Sequence, residues 1–206
     1  LYNINFSVDE ESDSVIKSKI SQVQDRISWL MTCQHDLSED LSNLHLAISE
    51  RLSFQKSLLF KLLSFRYNPT SISLIQQSLD PKAGEDNNIY ALELIDNFFK
   101  KEEKEILLPL FSDGALTSRI KSLYNHFPVR LLTSENRLFH IIHKSTYETG
   151  ILIKAEALKA MTGIQEIEKE RKIKLLTTVL FSSDRVLTEL AGILLHQVDS
   201  EAFKEY

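Results

Sequence analysis

The scarcity of glycine and proline constrains this chain most, because its 206 residues include only five glycines and four prolines. A sheet-rich fold needs turn residues at about every 8–12 positions, so this composition favours helices. Gly150 and Gly163 are the closest pair of glycines. They stand too far apart for the Gly-rich loops of Walker-type or dinucleotide-type nucleotide sites. The sequence therefore predicts an all-α fold without such a phosphate-binding loop.

Charge, cysteine content and apolar run length exclude further classes. The net charge is −5, with 29 acidic and 24 basic residues interleaved. Nucleic-acid binders rely on basic patches for phosphate contacts, so we expect no nucleic-acid partner. The only cysteine, Cys33, excludes an internal disulfide and a Cys-based zinc site, and suits a reducing compartment. Apolar runs fall far short of the roughly 20 residues that cross a bilayer, so we expect no membrane insertion.

Periodicity divides the chain into a tail and a long series of helices. Residues 1–12 show no period and are predicted to be a linker or extended tail, with Asp13 or Ser14 capping the first helix. A polar break at residues 34–36 precedes a second helix, and we place another break near residues 49–52. The first predicted helix carries its apolar residues at steps of three and four: Ile16, Ile20, Val23, Ile27 and Leu30.

Later helices are separated by proline, glycine and polar turns. Asn68-Pro69 and Asp80-Pro81 end helices, because proline disfavours the helical conformation of the residue before it. Residues 82–88 are predicted to be a loop. The inner face of the following helix is predicted to carry Tyr90, Ala91, Leu94, Ile95 and Phe98. The predicted helices from that point are residues 88–99, 100–110, 116–127, 134–143, 149–161, 166–181 and 184–198.

An internal repeat lies in the middle of the chain. Residues 58–80 align without gaps on residues 91–113, an offset of 33, and helical repeats have periods of roughly 33 to 47 residues. The matched pairs are Leu59/Leu92, Leu62/Ile95, Phe65/Phe98, Leu74/Leu107, Ile75/Leu108 and Asp80/Asp113. We therefore predict one domain over residues 13–206, an irregular α-solenoid of stacked helical hairpins. Its parts are an N-terminal hairpin (13–50), two best-matched repeats (51–113) and divergent repeats (114–206).

Residues 90–99 and 107–113 resemble a HEAT-type repeat. More narrowly, they resemble the helical region that follows the membrane domain in some bacterial ATP/ADP-translocase-like transporters of the major facilitator type. Residues 58–69 and 180–203 are similar to the preceding helix and to the terminal repeat of that region. One departure concerns the polar ladder of HEAT units, which uses an inward Asp and Arg. Asp184 is present, but Thr188 and Glu189 stand where the Arg is expected.

The resemblance implies a cytoplasmic regulatory segment of a larger transporter-like protein, tethered to the inner membrane through a domain outside this sequence. Its partner would be another protein or another domain of the same chain. In such transporters a cyclic-nucleotide-binding domain can follow the repeats. It too would lie outside this sequence, which has no Gly-rich phosphate cassette.

Two groups of residues have the types that chemistry uses. His140 and His143 lie three apart on one predicted helix face, a spacing that can bind a metal with Glu148 as a third ligand. The His-Glu-x-x-His signature is missing, so we interpret them as a hydrogen-bonded or solvated pair. Cys33 with nearby His35 and Asp36 suggests a nucleophile and base, but such close neighbours point apart on a helix. We expect no catalytic, metal or cofactor-binding residues.

Charged and aromatic side chains offer weaker signals. Residues 166–174 pair Glu168 with Lys172 and Glu170 with Lys174 at helical spacing, at about 0.3–0.5 kcal/mol each, as on a solvated helix face. Partner docking is the alternative interpretation. The alternating lysines and glutamates of residues 100–105 are interpreted in the same way. Trp29 lies beside the apolar stripe of its helix, where a second helix would bury it, unless it is an exposed anchor for a partner.

These observations predict a non-catalytic scaffold or interaction domain. The alternative is a free-standing helical adaptor or regulator that binds a peptide or small ligand between its helices. An enzyme is the third possibility, and it would require a deep pocket lined by polar groups.

Overall fold

The computed structural model describes residues 10–79 and 85–204, and the ordered elements of these residues are all helical. The all-α prediction is therefore confirmed for the described part of the chain. The helices are α1 (Glu10–Asp36), α2 (Ser42–Leu63), α3 (Pro69–Ser78), α4 (Glu85–Phe98), α5 (Lys101–Phe111), α6 (Leu116–Leu123), α7 (Ser134–His143), α8 (Thr146–Thr149), α9 (Ile151–Gly163), α10 (Lys169–Leu180), α11 (Arg185–Val198) and α12 (Ser200–Lys204).

The chain forms two compact units. The first comprises residues 1–35 and 52–130, and the second comprises residues 36–51 and 131–206. Helix α2 contributes residues 52–63 to the first unit and residues 42–51 to the second. The predicted repeat boundaries after residues 50 and 113 mark a different division of the chain.

In the first unit, helices α3 to α6 pack in chain order, each against the next. Arg119 of α6 ties two of them together from a partly buried position. Its Nε donates to the carbonyl of Pro109 at 2.8 Å, and its Nη2 donates to the carbonyl of Leu110 at 3.0 Å. The last carbonyls of a helix have no partner within it, so the guanidinium satisfies the C-terminal end of α5.

In the second unit, α9 contacts α7, α8, α10 and α11, and α11 packs between α10 and α12. Lys172 of α10 repeats the arrangement seen at Arg119. It is buried, and its Nζ donates to the carbonyl of Thr162 in the last turn of α9 at 2.9 Å. A cation from the following helix thus caps the preceding helix in both units.

An ion pair anchors the start of α7 within the second unit. The side chains of Asp36 and Arg137 are each only 1% exposed. Oδ2 of Asp36 accepts from Nε of Arg137 at 2.9 Å, from Nη2 at 2.5 Å, and from the backbone N–H of Leu132 at 2.9 Å. One carboxylate oxygen therefore holds both the segment before α7 and the helix itself.

Two predicted boundaries near the N-terminus are wrong. Helix α1 begins at Glu10, so the end of the predicted tail is helical and neither Asp13 nor Ser14 is the cap. Asp13 instead forms ion pairs with Lys17 at 2.5 Å and with Arg66 at 2.8 Å. The break near residues 49–52 is absent, because α2 runs from Ser42 to Leu63 without interruption.

Capping side chains set other boundaries as the sequence predicts. Oδ1 of Asn68 accepts from the backbone N–H groups of Thr70 at 2.9 Å and Ser71 at 3.2 Å, and Pro69 occupies the first helical position of α3. Asp184 caps α11 in the same manner. Its carboxylate therefore accepts hydrogen bonds from the start of its own helix, and not from an arginine of a polar ladder. The predicted turn at Asp80-Pro81 lies outside the described residues. The loop predicted at 82–88 ends earlier, because α4 begins at Glu85.

Burial within residues 58–80 and 91–113 matches better at an offset of 32 than at the predicted offset of 33. The 33-residue offset matches Leu59, which is fully buried, with Leu92, which is only half-buried. An offset of 32 matches positions of equal role: Asn68 and Lys100 are both N-caps. It also matches buried residues with buried residues: Leu59 with Ala91, Leu63 with Ile95, and Ile75 with Leu107. At the offset of 32, the end of α2 aligns with α4, and α3 aligns with α5.

The inner face of α4 is turned relative to the prediction. Ala91 and Ile95 are buried as predicted, but Tyr90 and Phe98 are exposed, and Phe99 is buried instead. Phe98 packs its ring edge-on against Tyr67, with ring centroids 5.7 Å apart. An aromatic side chain that covers a neighbouring ring keeps part of its own surface in solvent. A prediction from periodicity nevertheless assigns such a residue to the core.

Candidate functional site

The structure gives both histidines of the predicted helix α7 hydrogen-bonding roles. Nδ1 of His143 lies 2.8 Å from the carbonyl oxygen of Phe139, and Nδ1 of His140 lies 3.4 Å from Nη1 of Arg137. Burial and the neighbouring positive charge of Arg137 lower the pKa of His140. Glu148 pairs with Lys144 at 3.3 Å. Among the described residues no cluster of three or more His, Cys, Asp or Glu side chains is arranged to hold a metal.

The structure describes two members of the group Cys33, His35 and Asp36 by their surroundings. The thiol of Cys33 is buried, as expected for a small apolar side chain in a helix core. Asp36 is committed to the ion pair with Arg137, a partner 101 residues away that no local motif indicates. Trp29 is buried, in agreement with the interpretation that packing covers it.

The charged segment 166–174 is not simply a solvated face. Lys172 donates to a backbone carbonyl instead of pairing with Glu168. Arg171 forms an ion pair with Glu135 and lies over the ring of Phe139, 4.0 Å from its centroid. Lys169 pairs with Asp199 at 2.8 Å, in the segment that enters α12. These contacts tie α10 to its neighbours within the second unit, and only three-dimensional proximity reveals them.

The alternating charges of residues 100–105 also make contacts between elements. Glu103 accepts from the hydroxyl of Tyr67 and from the backbone N–H of Lys100, the second bond being 3.2 Å long. Lys104 pairs with Asp96 at 3.1 Å. The carboxylate of Glu103 therefore satisfies the backbone N–H of Lys100 at the start of α5 and reaches Tyr67, in the turn that follows α2.

Helix α11 is apolar on two sides, which makes it the candidate site for recognition. Its inner stripe is buried and consists of Leu187, Ala191, Leu194 and Leu195. A second stripe at helical spacing contains Val186, Leu190 and Ile193, with Val186 56% and Ile193 59% exposed. A helix that packs on one side needs only one apolar stripe. The outer stripe is therefore not required for the packing of this unit.

A groove lies beside this outer stripe, between α11 and α12. It has a volume of about 540 Å³, and its apolar lining includes Ile193 and Phe203, the latter 40% exposed. Gly192 also lines it, and a Cβ at this position would stand 3.7 Å from the Phe203 ring. The rim is polar: Glu189, His196 and Gln197. An apolar groove with a polar rim is typical of protein-recognition surfaces.

The outer stripe is the feature that sequence reasoning missed. Residues 186, 190 and 193 recur at steps of four and three, but the adjacent buried stripe has the same period. The two stripes together resemble one wide core face. The exposure of Phe181, at the end of α10, extends the apolar surface of this unit.

Within the described residues, none of the helices combines the length and the apolar character that crossing a membrane requires. Comparison with known proteins finds no match for this chain among family models, curated proteins or solved structures.

Proposed function

We propose that this chain is a non-catalytic helical-repeat scaffold that docks an amphipathic helix of a protein partner on the outer stripe of α11. The observation that carries the proposal is the exposed apolar stripe beside the groove between α11 and α12. Partner helices that bind in grooves present apolar side chains at steps of three and four. The stripe of Val186, Leu190 and Ile193 has the complementary period.

The polar rim adds specificity to this surface. Glu189 and His196 stand one helical turn on either side of Ile193, so a docked helix would place its polar flanks against them. Isolated exposed apolar residues are common on proteins, whereas a continuous stripe with an adjoining groove marks an interaction site. Burial of Ile193 and Phe203 by a partner would supply the apolar centre of the interface.

Site-specific photo-crosslinking tests the proposal. A photoreactive amino acid placed at Ile193 in the full-length protein, expressed in its own cells, should form a crosslink to one defined segment of a partner. Mass spectrometry should identify that segment as an amphipathic helix. The matched control carries the same group at Glu170, an exposed position of the same unit. Equal and scattered crosslinking from both positions would contradict the proposal.

The solenoid arrangement and the setting beside a transport domain belong to the same proposal. Helices α3 to α6 pack against one another in chain order, and the match of buried positions at an offset of 32 supports an origin from stacked hairpins. The cytoplasmic regulatory role rests on the resemblance to translocase-associated repeats. The complete reading frame tests it: we expect about a dozen apolar spans of roughly 20 residues upstream of residue 1. A reading frame without these spans would contradict the proposed link to a transporter. The proposed docking surface would then still be tested by the crosslinking experiment.

A further inference from the structure

A cleft of about 190 Å³ lies within the second unit, among side chains of α7, α9, α10 and α11. Its wall is formed by aliphatic side chains of all four helices: Ile142, Leu158, Leu175, Val179 and Leu187. Four polar residues complete the lining: His143, Lys154, Thr178 and Ser182. The cleft therefore combines a continuous apolar wall with a small number of polar groups, the usual composition of a small-molecule site.

Lys154 is the only charged group that lines this cleft in the described structure. Its half-buried ammonium has three donors, and its one hydrogen bond runs to Oγ1 of Thr146 at 3.4 Å. Within the described residues no carboxylate oxygen lies within 4.0 Å of its Nζ. Burial lowers the pKa of Lys154, and the more distant Asp184 opposes this effect. The ammonium is thus partly desolvated and has no direct counter-ion among the described residues.

The other polar groups differ in how fully they are used. Thr178 donates to the carbonyl of Lys174 at 2.8 Å, and His143 is engaged with the carbonyl of Phe139 at 2.8 Å. The hydroxyl of Ser182 has only long contacts, 3.4 Å to the carbonyl oxygen of Asp184 and 3.4 Å to Oγ1 of Thr188. Lys154 and Ser182 are therefore the two groups that could turn toward a bound anion at little cost.

We infer that this cleft binds a short aliphatic monocarboxylate, with the carboxylate on Lys154 and Ser182 and the chain against the apolar wall. The volume limits the size, because a water molecule takes up about 30 Å³ and the cleft holds roughly six such volumes. A chain of about four to six carbons matches this space. A cationic ligand would be repelled by Lys154, and a neutral alcohol would leave its charge without a partner.

This inference does not depend on the docking surface of α11, and a solution experiment tests it separately. Hexanoate is titrated into the full chain while methyl NMR signals of Leu158 and Leu175 are observed, with hexan-1-ol as the uncharged probe. We expect saturable shifts for hexanoate in the millimolar range, as befits a ligand of so few atoms. Hexan-1-ol should bind at least tenfold more weakly, because it makes no charged hydrogen bond.

Two variants on α9 complete the test. Lys154→Met keeps the length of the side chain and removes the charge, and it should weaken hexanoate binding tenfold or more. Lys159→Met is the matched control, because this lysine lies on the same helix, is exposed and pairs with Glu156 at 2.8 Å. It should bind hexanoate as the unchanged chain does. No saturable shift with hexanoate, equal binding of hexan-1-ol, or full binding by Lys154→Met would each overturn the inference.

Discussion

At the scale of single residues, the ion pair of Asp36 and Arg137 illustrates how burial changes the value of a charge. Two desolvated charges gain little net stability from one another, since their hydration is lost. Removing one partner is different, because the other charge then stays buried without compensation. The carboxylate of Asp36 also accepts the backbone N–H of Leu132, so its loss leaves two sets of donors unsatisfied.

Asp36→Ala should therefore lower the free energy of unfolding by about 3–5 kcal/mol. Urea denaturation followed by circular dichroism measures this loss. The double variant Asp36→Leu with Arg137→Met is the control: it removes both charges and should recover most of the stability. A single variant that unfolds with an unchanged midpoint would show that the pair is solvated in solution.

Lys56 gives a pH-dependent prediction at the same scale. The pKa of Lys56 is lowered to about 8, mainly by burial and also by the charge of Arg119, while Asp113 opposes both effects. Its ammonium lies 5.4 Å from the ring centroid of Phe111. Because the folded pKa is below the unfolded value of 10.5, the unfolded chain binds more protons between these two values. The contribution of Lys56 to stability therefore rises as the pH increases from about 8 toward 10.5.

Lys56→Met should raise the free energy of unfolding at pH 7 by about 1 kcal/mol. The gain is discounted because the side chain is half-exposed and its contact with Phe111 is lost. Stability measured at pH 7, 9 and 10 should show this gain shrinking as the pH rises. An NMR titration of the Lys56 side chain reports its pKa directly, and an ordinary value near 10.5 would contradict the argument.

At the scale of elements, the junction of α8 and α9 depends on one glycine. Gly150 has φ of +93°, a backbone conformation that residues with a Cβ rarely adopt. It is both the C-cap residue of α8 and the N-cap residue of α9, so it is the single residue between these two helices. Space is not the obstacle, because the nearest atoms to an added Cβ belong to Arg51 at 3.7 Å.

Gly150→Ala should consequently destabilise the chain by about 1–2 kcal/mol through backbone strain alone. Gly163→Ala is the matched control, because Gly163 ends α9 without positive φ and has open space around it. We expect that substitution to be neutral or slightly stabilising in thermal denaturation. Equal losses for the two variants would refute strain as the cause.

Helices were predictable from sequence where a local signal ends them. Asn68-Pro69 fixes the start of α3, and α7 has the predicted bounds of residues 134–143. The false break at residues 49–52 has a different origin, since no capping residue supports it and apolar contacts continue along α2. The face of α4 was misread because Phe98 and Phe99 are adjacent aromatics, and only packing decides which of them is buried.

At the scale of the whole molecule, the all-helical class follows from composition, whereas the partners of charged side chains do not. Arg137 meets Asp36 across 101 residues, and Arg171 meets Glu135 across 36. Both arginines stand in ordinary amphipathic helices, where local spacing suggests neighbours three or four residues away. The predicted offset of 33 pairs similar residue types, whereas buried positions match at an offset of 32, since burial depends on packing and not on residue type alone.

The candidate site was less predictable than the fold for a physical reason. To predict a docking site on α11, one must know which of its apolar stripes is already buried by the rest of the chain. That depends on how α9, α10 and α12 pack against α11. The sequence contains both stripes but does not distinguish them. The structure separates them into a buried stripe and an exposed stripe, and the proposed docking surface depends on the claim that the exposed stripe is not part of the core.

Urea denaturation of two α11 variants tests this claim most directly. Leu195→Asp places a charge on the fully buried stripe and should lower the free energy of unfolding by several kcal/mol. Ile193→Asp places the same charge on the exposed stripe and should change it by less than about 0.5 kcal/mol. If Ile193→Asp unfolds the chain as severely as Leu195→Asp, the outer stripe belongs to the core, and the chain has no surplus apolar face there to offer a partner.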